Sequence, residues 1–242
     1  MDFSGAWYTL NMIPMLARGR FMIRQGFALF DLDGTVIKGD SILPMIRYAT
    51  KTKFAKKTHL PLIAVAFLGY SLRLISDTRA KEMAIAFLRG KTREQIRDFA
   101  EAFCRDVLIK RIFPGARAEI KECRAAGLQV LLITASPDFY LQPLATELAL
   151  DGIIGTRADI SKEGVYTGRI AGLNCRHLEK PLRIAEYLAA AGYELDTEKS
   201  CAYGDSGHDW PMMSLTKQPV AVNAKKSLLR QDRGIRRVDW TL

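Results

Sequence analysis

Apolar residues along this chain fall into two patterns that alternate. Short runs with almost no interleaved polar residue, Phe27-Ala28-Leu29-Phe30 and Leu128 to Ile133, predict strands buried on both faces. Ser200 to Tyr203 and Pro219 to Val222 are briefer runs of the same kind. Helical spacing marks Gly115 to Ala126, closed by Gly127, then Pro137 to Ala149 and Pro181 to Ala191. Gly155 to Ile160 and Val165 to Ile170 flank Ser161-Lys162-Glu163-Gly164, which predicts a hairpin. Strands alternating with helices predict an α/β fold, a Rossmann-like parallel sheet core with helices on both faces.

One long stretch breaks the alternation. Between Thr35 and Pro114 the spacing is helical throughout: Ser41 to Lys57, Leu60 to Ile75, Asp77 to Arg89 and Thr92 to Ile109. Asp77 and Thr92 are good N-caps, and Gly90 is a natural helix stop. About 75 residues cannot be a structureless loop in a compact domain, so they predict an inserted all-helical cap. The expected division is an α/β core over 25–37 and 113–242, a cap over 38–112, and an N-terminal helical arm over 1–24. In that arm Phe3, Trp7, Leu10 and Ile13 keep helical spacing, with Arg18, Arg20 and Arg24 behind Pro14. This order reverses that of a secretory leader. It suits an arm packed on the domain, an arm at a membrane interface, or a start of translation nearer Met22.

Composition changes the picture in two respects. Lys and Arg outnumber Asp and Glu by 36 to 26, giving a net charge of +10 that favours anionic partners. The 48% hydrophobic fraction rules against wholesale disorder. Cys104, Cys123, Cys175 and Cys201 form no CxxC pair, so free thiols in a reducing cytoplasm are expected and zinc is not. Leu60 to Ile75 is 16 residues long, contains Pro61 and reaches Arg73. A bilayer-spanning helix needs about 20 apolar residues. The segment is therefore either a buried helix or one that dips into a single leaflet.

The chemistry gathers at strand ends. Asp31-Leu32-Asp33-Gly34-Thr35 follows the first run directly. Two carboxylates so placed can hold a hard cation and offer a nucleophile. Thr134-Ala135-Ser136 follows the run ending at Ile133, Lys180 opens the helix after the hairpin, and Gly204-Asp205-Ser206-Gly207-His208-Asp209 follows Tyr203. In open α/β sheets ligands bind outside the carboxyl ends of the strands, so these four segments can converge. His208 reads as a loop or supporting residue, because a hard cation prefers oxygen. His59 and His177 have no partner spacing.

In order and residue type, the four segments resemble the motifs of the haloacid dehalogenase superfamily of phosphatases, over about Phe27 to Trp240. The helical insert and Gly-Asp-Ser-x-x-Asp resemble the phosphoserine-phosphatase branch. The resemblance implies a phosphomonoester hydrolase with Asp31 as nucleophile, Asp33 as general acid and base, and Lys180 as the cation meeting the phosphoryl group. Thr134 and Ala135 would bind the substrate phosphate, assisted by the N-terminus of the following helix. Mg²⁺ would be held by Asp31, the Asp33 backbone carbonyl, Asp205 and Asp209. Where phosphoserine enzymes have Glu and Ser, this chain has Asp40 and Gly34, and Asp40 can equally cap the first cap helix. The chain also resembles bacterial phosphatidylglycerophosphatases of the same superfamily, in Leu60 to Ile75 with Lys51, Lys53, Lys56, Lys57, Arg73 and Arg79 around it. That implies a lipid phosphate and a peripheral position at the inner face of the cytoplasmic membrane. A soluble metabolite such as phosphoserine stays open, as does non-catalytic binding of an anionic surface. No recognisable nucleic-acid motif is present, and oligomeric state has no signature.

Overall fold

A computed structural model describes residues 22–231 and 235–242. The expected arm therefore lies outside the described residues up to position 21. Its last residues, Ile23 and Arg24, are not helical: they belong to strand β1 (Ile23–Gln25), which pairs in parallel with β7 (Tyr193–Leu195).

The first apolar run is β2 (Phe27–Phe30). Its side chains alternate between two separate clusters, Phe27 and Leu29 in one, Ala28 and Phe30 in the other. β3 (Gln129–Pro137) does the same, with Leu131 and Ile133 on one face and Val130 and Leu132 on the other. Both faces are covered, which is why these runs lack polar alternation. With β4 (Gly152–Thr156), β8 (Cys201–Gly204), β9 (Gln218–Val222) and β10 (Arg236–Val238) they form a six-stranded sheet of order β10-β9-β8-β2-β3-β4. Every pairing in it is parallel. The order runs outward in opposite directions from β2, so the crevice beyond its carboxyl end is a topological switch point.

Helices α5 (Pro114–Ala125), α6 (Gln142–Leu148) and α7 (Glu179–Ala191) connect the strands. Two expectations change here. β3 continues through an irregular register to pair Pro137 with Thr156, so the next helix begins at Gln142, after a single turn. The Asp138 carboxylate accepts from Ala158 N–H at 3.0 Å, which ties this segment to the core instead of starting a helix. The expected hairpin is also divided. Gly155 and Thr156 belong to β4 of the main sheet, and only β5 (Ala158–Ile160) pairs antiparallel with β6 (Tyr166–Ile170).

The insert holds α1 (Ile42–Lys51), α2 (Leu60–Ser71), α3 (Asp77–Ile85) and α4 (Arg93–Phe103). Most of these helices end earlier than their sequence spacing suggests. Lys53, at φ 61°, breaks the first, and α3 and α4 tighten or loosen into other helical turns. Thr92 and Gln95 form a reciprocal capping box on α4. The cap of α3 is Ser76, whose hydroxyl accepts from Arg79 N–H, because Asp77 is committed to Thr78 N–H and Asn174. Met45, Ile85, Phe99 and Phe103 join Ala28 and Phe30 in one continuous apolar cluster, which holds the insert against the sheet.

α2 is the exception. Only Ile63 and Ala66 are buried in it, while Val65 is 59% and Leu68 61% exposed, with Leu60, Phe67, Leu72 and Leu74 also open. Of the two readings of this segment, the buried core helix is overturned. Among the described residues no helix is long and apolar enough to cross a membrane. The four cysteines are buried free thiols, as expected.

Candidate active site

Asp31 extends the sheet by one residue, its N–H donating to Tyr203 O at 3.0 Å. The chain then turns tightly, with the N–H groups of Thr35, Val36 and Ile37 all returning to Leu32 O. Gly34 sits at φ +92°, and a Cβ there would lie 2.1 Å from the Asp205 carboxylate. The turn therefore brings the first and last motifs into contact because Gly34 has no side chain.

Lys180, in the first turn of α7, reaches back beneath the strand ends. Its buried Nζ donates to Asp31 Oδ1 and to Asp209 Oδ1, each at 2.7 Å. Asp209 is fixed further by Ser206, whose N–H and hydroxyl both donate to its Oδ2. Asp205 accepts from Lys225 Nζ at 2.6 Å. Carboxylate oxygens of Asp31, Asp205 and Asp209 lie within 4.8 Å of one another, all three residues buried.

Charge in this cluster does not balance. Three carboxylates face two ammonium groups, Lys180 and Lys225, before any phosphate enters. Burial and repulsion from Asp209 push the Asp31 carboxyl well above its usual range, although Lys180 pulls the other way. Burial likewise raises Asp205 against the pull of Lys225. Against burial, Lys180 and Ser206 hold Asp209 below the usual range, and the two carboxylates hold Lys180 in its charged form. A hard divalent cation on Asp31, Asp205 and Asp209 would relieve this imbalance, and an all-oxygen donor set suits Mg²⁺. The residues fit the ion.

Asp33 faces away from that cluster. Its Oδ1 accepts from Ser41 N–H at 2.7 Å and its Oδ2 from the Ser136 hydroxyl at 2.6 Å. Ser136 Oγ and Tyr140 OH each lie 2.9 Å from Ser41 Oγ, so a chain of hydroxyls leads from the apolar core to this carboxylate. Burial pushes Asp33 up to about 6, against the hydrogen bonds from Ser136 and Ser41. Asp31 thus faces Lys180 while Asp33 faces the hydroxyl network, an arrangement in which one carboxylate can serve as a nucleophile and the other as a proton carrier.

Thr134 is buried within β3, and its hydroxyl oxygen accepts from Ser136 N–H at 2.9 Å, leaving its own O–H to donate. Ala135 is half-buried and lines a cavity of about 280 Å³ between insert and sheet. The expected help from a helix N-terminus is absent, since α6 starts after the intervening turn. His208 stays out of the carboxylate cluster, its Nε2 2.7 Å from Arg176 Nη2. Asp40 caps Leu43 N–H at 2.9 Å and also lines the cavity. Ser41, Tyr140, Lys225 and Lys81 were not singled out from the sequence. Lys225 had a signal, three residues beyond the end of β9; Ser41 and Tyr140 lie in a helix cap and an irregular turn, where spacing says nothing.

Gly204 offers a direct check on this arrangement. A Cβ there would lie 2.5 Å from Asp209 Cβ and 2.9 Å from Met213 Sδ, neither a free side-chain end. Gly204→Ala is expected to displace Asp209 from Lys180, destabilise the protein by about 1–3 kcal/mol and cut turnover about 10–100-fold. Thermal unfolding and phosphate release would measure the two effects.

The family profile of haloacid dehalogenase-like hydrolases matches residues 28–214, and the chain belongs to that family. Protein CicA of Caulobacter vibrioides is 31% identical over 192 residues, covering 78% of this chain and 82% of its own. Phosphoserine phosphatase SerB1 of Mycobacterium tuberculosis is 27% identical over 215 residues, covering 86% and 68%. A crystal structure of a protein of unknown function from Bordetella pertussis Tohama I superposes with a TM-score of 0.80 at 26% identity, over 89% of this chain and 99% of that one. The chain is thus a haloacid dehalogenase-like hydrolase, similar in sequence to phosphatases such as SerB1.

Proposed function

We propose that this chain is a Mg²⁺-dependent phosphomonoester hydrolase that works through an aspartyl-phosphate and acts on the phosphate of a membrane lipid such as phosphatidylglycerophosphate. The chemistry rests on one observation, Lys180 bridging Asp31 and Asp209 at 2.7 Å beside Asp205. Asp31 Oδ2 or Oδ1 forms a bond to phosphorus while the ester P–O bond breaks. The Asp33 proton goes to the departing alcohol. Water then attacks the phosphoaspartate, gives its proton to Asp33, and inorganic phosphate leaves with Asp31 restored. Lys180 offsets carboxylate charge at the attacking group, and Thr134 with the Ala135 backbone would bind the phosphate oxygens. Mg²⁺, held by Asp31, Asp205, Asp209 and the Asp33 backbone carbonyl, would supply positive charge against the anionic ester.

The lipid part rests on α2. Val65, Leu68, Leu72 and Leu74 are each more than half exposed; exposed Lys51, Lys53, Lys56 and Lys57 precede them, Arg73 lies between the last two, and Arg79 follows. Ala66, Phe67 and Tyr70 of the same helix line the cavity beside Ala135. One face of α2 would thus enter a leaflet while the other borders the site. Each basic residue near an anionic surface contributes about 1 kcal/mol, and each buried apolar side chain about 1.5–3 kcal/mol. Residues 38–112 would act as the cap over a core of 25–37 and 113–242, peripheral at the inner face of the cytoplasmic membrane. A soluble metabolite is the second reading, favoured by the phosphoserine named for SerB1.

Phosphate release from phosphatidylglycerophosphate vesicles, phosphoserine and an aryl phosphate, each with and without Mg²⁺, separates these readings. Release from the lipid is expected, with loss on chelation. The double substitution Val65→Ser with Leu68→Ser is expected to weaken sedimentation with anionic vesicles at least about tenfold and leave aryl phosphate hydrolysis intact. Release from soluble esters alone would remove the lipid proposal.

A further inference from the structure

Lys81 carries a charge that the protein does not answer directly. It projects from α3 and is 8% exposed. Its ammonium donates to the backbone oxygen of Ala135 and to Asn174 Oδ1, the latter at 2.6 Å. Both acceptors are neutral. Among the described residues no carboxylate lies within ion-pair distance of it, whereas buried Lys180 has two and Lys225 has Asp205. The nearby Asp77 carboxylate is already engaged, by Thr78 N–H, by Asn174 Nδ2 at 2.9 Å and by Arg176 at 3.8 Å.

Placement gives that charge a use. Lys81, Arg176 and Asn174 share the polar wall of the 280 Å³ cavity with the carboxylates of Asp77, which is tied to Asn174 and Arg176, and Asp40, which caps Leu43 N–H. Ala135 joins this wall to the phosphate-binding segment. Ile42, Phe67 and Ala84 make apolar wall elsewhere. An alcohol released from phosphorus as Asp31 attacks would therefore depart toward a cavity whose wall carries this buried ammonium. A buried ammonium without a counter-ion is costly, and burial draws the Lys81 pKa down to about 8. An anion arriving with the substrate would offset that cost only in the complex, which is how a pocket selects its ligand.

We propose that Lys81 determines specificity by pairing with an anionic group on the leaving alcohol. The preferred esters then carry a second negative charge, a carboxylate or a phosphodiester, a few bonds from the phosphomonoester. This rests on the phosphatase reading above and deepens it. Thr156 Oγ1 lies 2.7 Å from Ala135 O and 2.8 Å from Asn174 Oδ1, so its single hydroxyl proton can take over one of the two acceptors when Lys81 turns toward substrate.

The test compares kcat/KM for four esters. Glycerol 3-phosphate has a neutral alcohol, 3-phosphoglycerate a carboxylate, phosphatidylglycerophosphate in vesicles a phosphodiester, and phosphoethanolamine an ammonium. Wild type is expected to prefer at least one of the two anion-bearing esters over glycerol 3-phosphate by about tenfold or more, with phosphoethanolamine poorest. Which of the two it prefers separates a lipid from a small acid as the source of the charge. Lys81→Met is expected to lose about 30–100-fold on the anion-bearing ester, mainly through KM, and under about threefold on glycerol 3-phosphate. Lys81→Arg should keep most of the preference. Equal losses of Lys81→Met on every ester would overturn the proposal and mark Lys81 as a tie between insert and sheet. Hydrolysis by wild type without an anion preference overturns it independently of any variant, and leaves the phosphatase reading standing. Hydrolysis of none of the four, nor of an aryl phosphate, overturns both.

Discussion

Asp31→Asn is expected to yield a folded protein whose phosphate release falls about 10⁴-fold or more. The amide keeps the shape of the side chain and can still accept from Lys180, but it cannot attack phosphorus at a useful rate. Folding should not suffer. Asp31 is buried, and burial together with repulsion from Asp209 disfavours its charge, with Lys180 only partly compensating. Removing one of three crowded carboxylates leaves Lys180 bonded to Asp209 at 2.7 Å. The melting temperature should therefore equal or exceed that of wild type, measured without added metal. Residual turnover near the wild-type rate in a folded protein would remove Asp31 as the nucleophile. A fall in melting temperature of several degrees would show instead that the Asp31–Lys180 pair holds the sheet ends together.

Asp33→Asn should be the next most damaging change, lowering turnover about 10²–10⁴-fold. The effect should depend on the leaving group. An aryl phosphate, whose alcohol departs without a proton, should lose less than an alkyl ester. The pH behaviour follows from the raised carboxyl. With a folded pKa of about 6 and an ordinary value of 3.8, Asp33 binds its proton more tightly in the folded chain. Its contribution to stability is then fully present below about pH 4 and is lost as pH rises through about 6. The loss should be about 1–2 kcal/mol, smaller than the full shift would give because Asp33 retains some solvent contact. Asp33→Asn should lack that slope between pH 4 and pH 7 in denaturant titrations. In wild type the protonation of an alkyl leaving group should weaken as pH climbs past the same value. An unchanged pH profile in the variant would exclude Asp33 as the proton donor.

Some elements are legible from a single local signal. β2, β3 and β8 are apolar runs too continuous for a half-exposed strand, and Thr92 with Gln95 marks a helix start without any tertiary help. Residues with two uses are not legible that way. Pro137 stands before a helical pattern yet continues β3, because Thr156 pairs with it. Asp77 has the chemistry of a cap but is drawn to Asn174, so Ser76 caps instead. Strands Tyr193–Leu195 and Arg236–Val238 are too short and too polar to stand out, and exist because partners lie alongside.

What the sequence determined by itself was the make-up of the candidate site: carboxylates at two strand ends, hydroxyls at a third, and a lysine opening a helix. Parallel strands must bring such ends to one crevice, so order and residue type were sufficient. Tertiary structure alone decided which carboxylates share a cation. Asp31 and Asp209 meet on Lys180, Asp205 turns to Lys225, and Asp33 points to Ser41 and Ser136. It also decided that α2 exposes its apolar side chains and that Lys81 lies buried with no carboxylate at ion-pair distance among the described residues. Those facts depend on distances between segments remote in the chain, and charge acts through distance, which no local pattern of residues records.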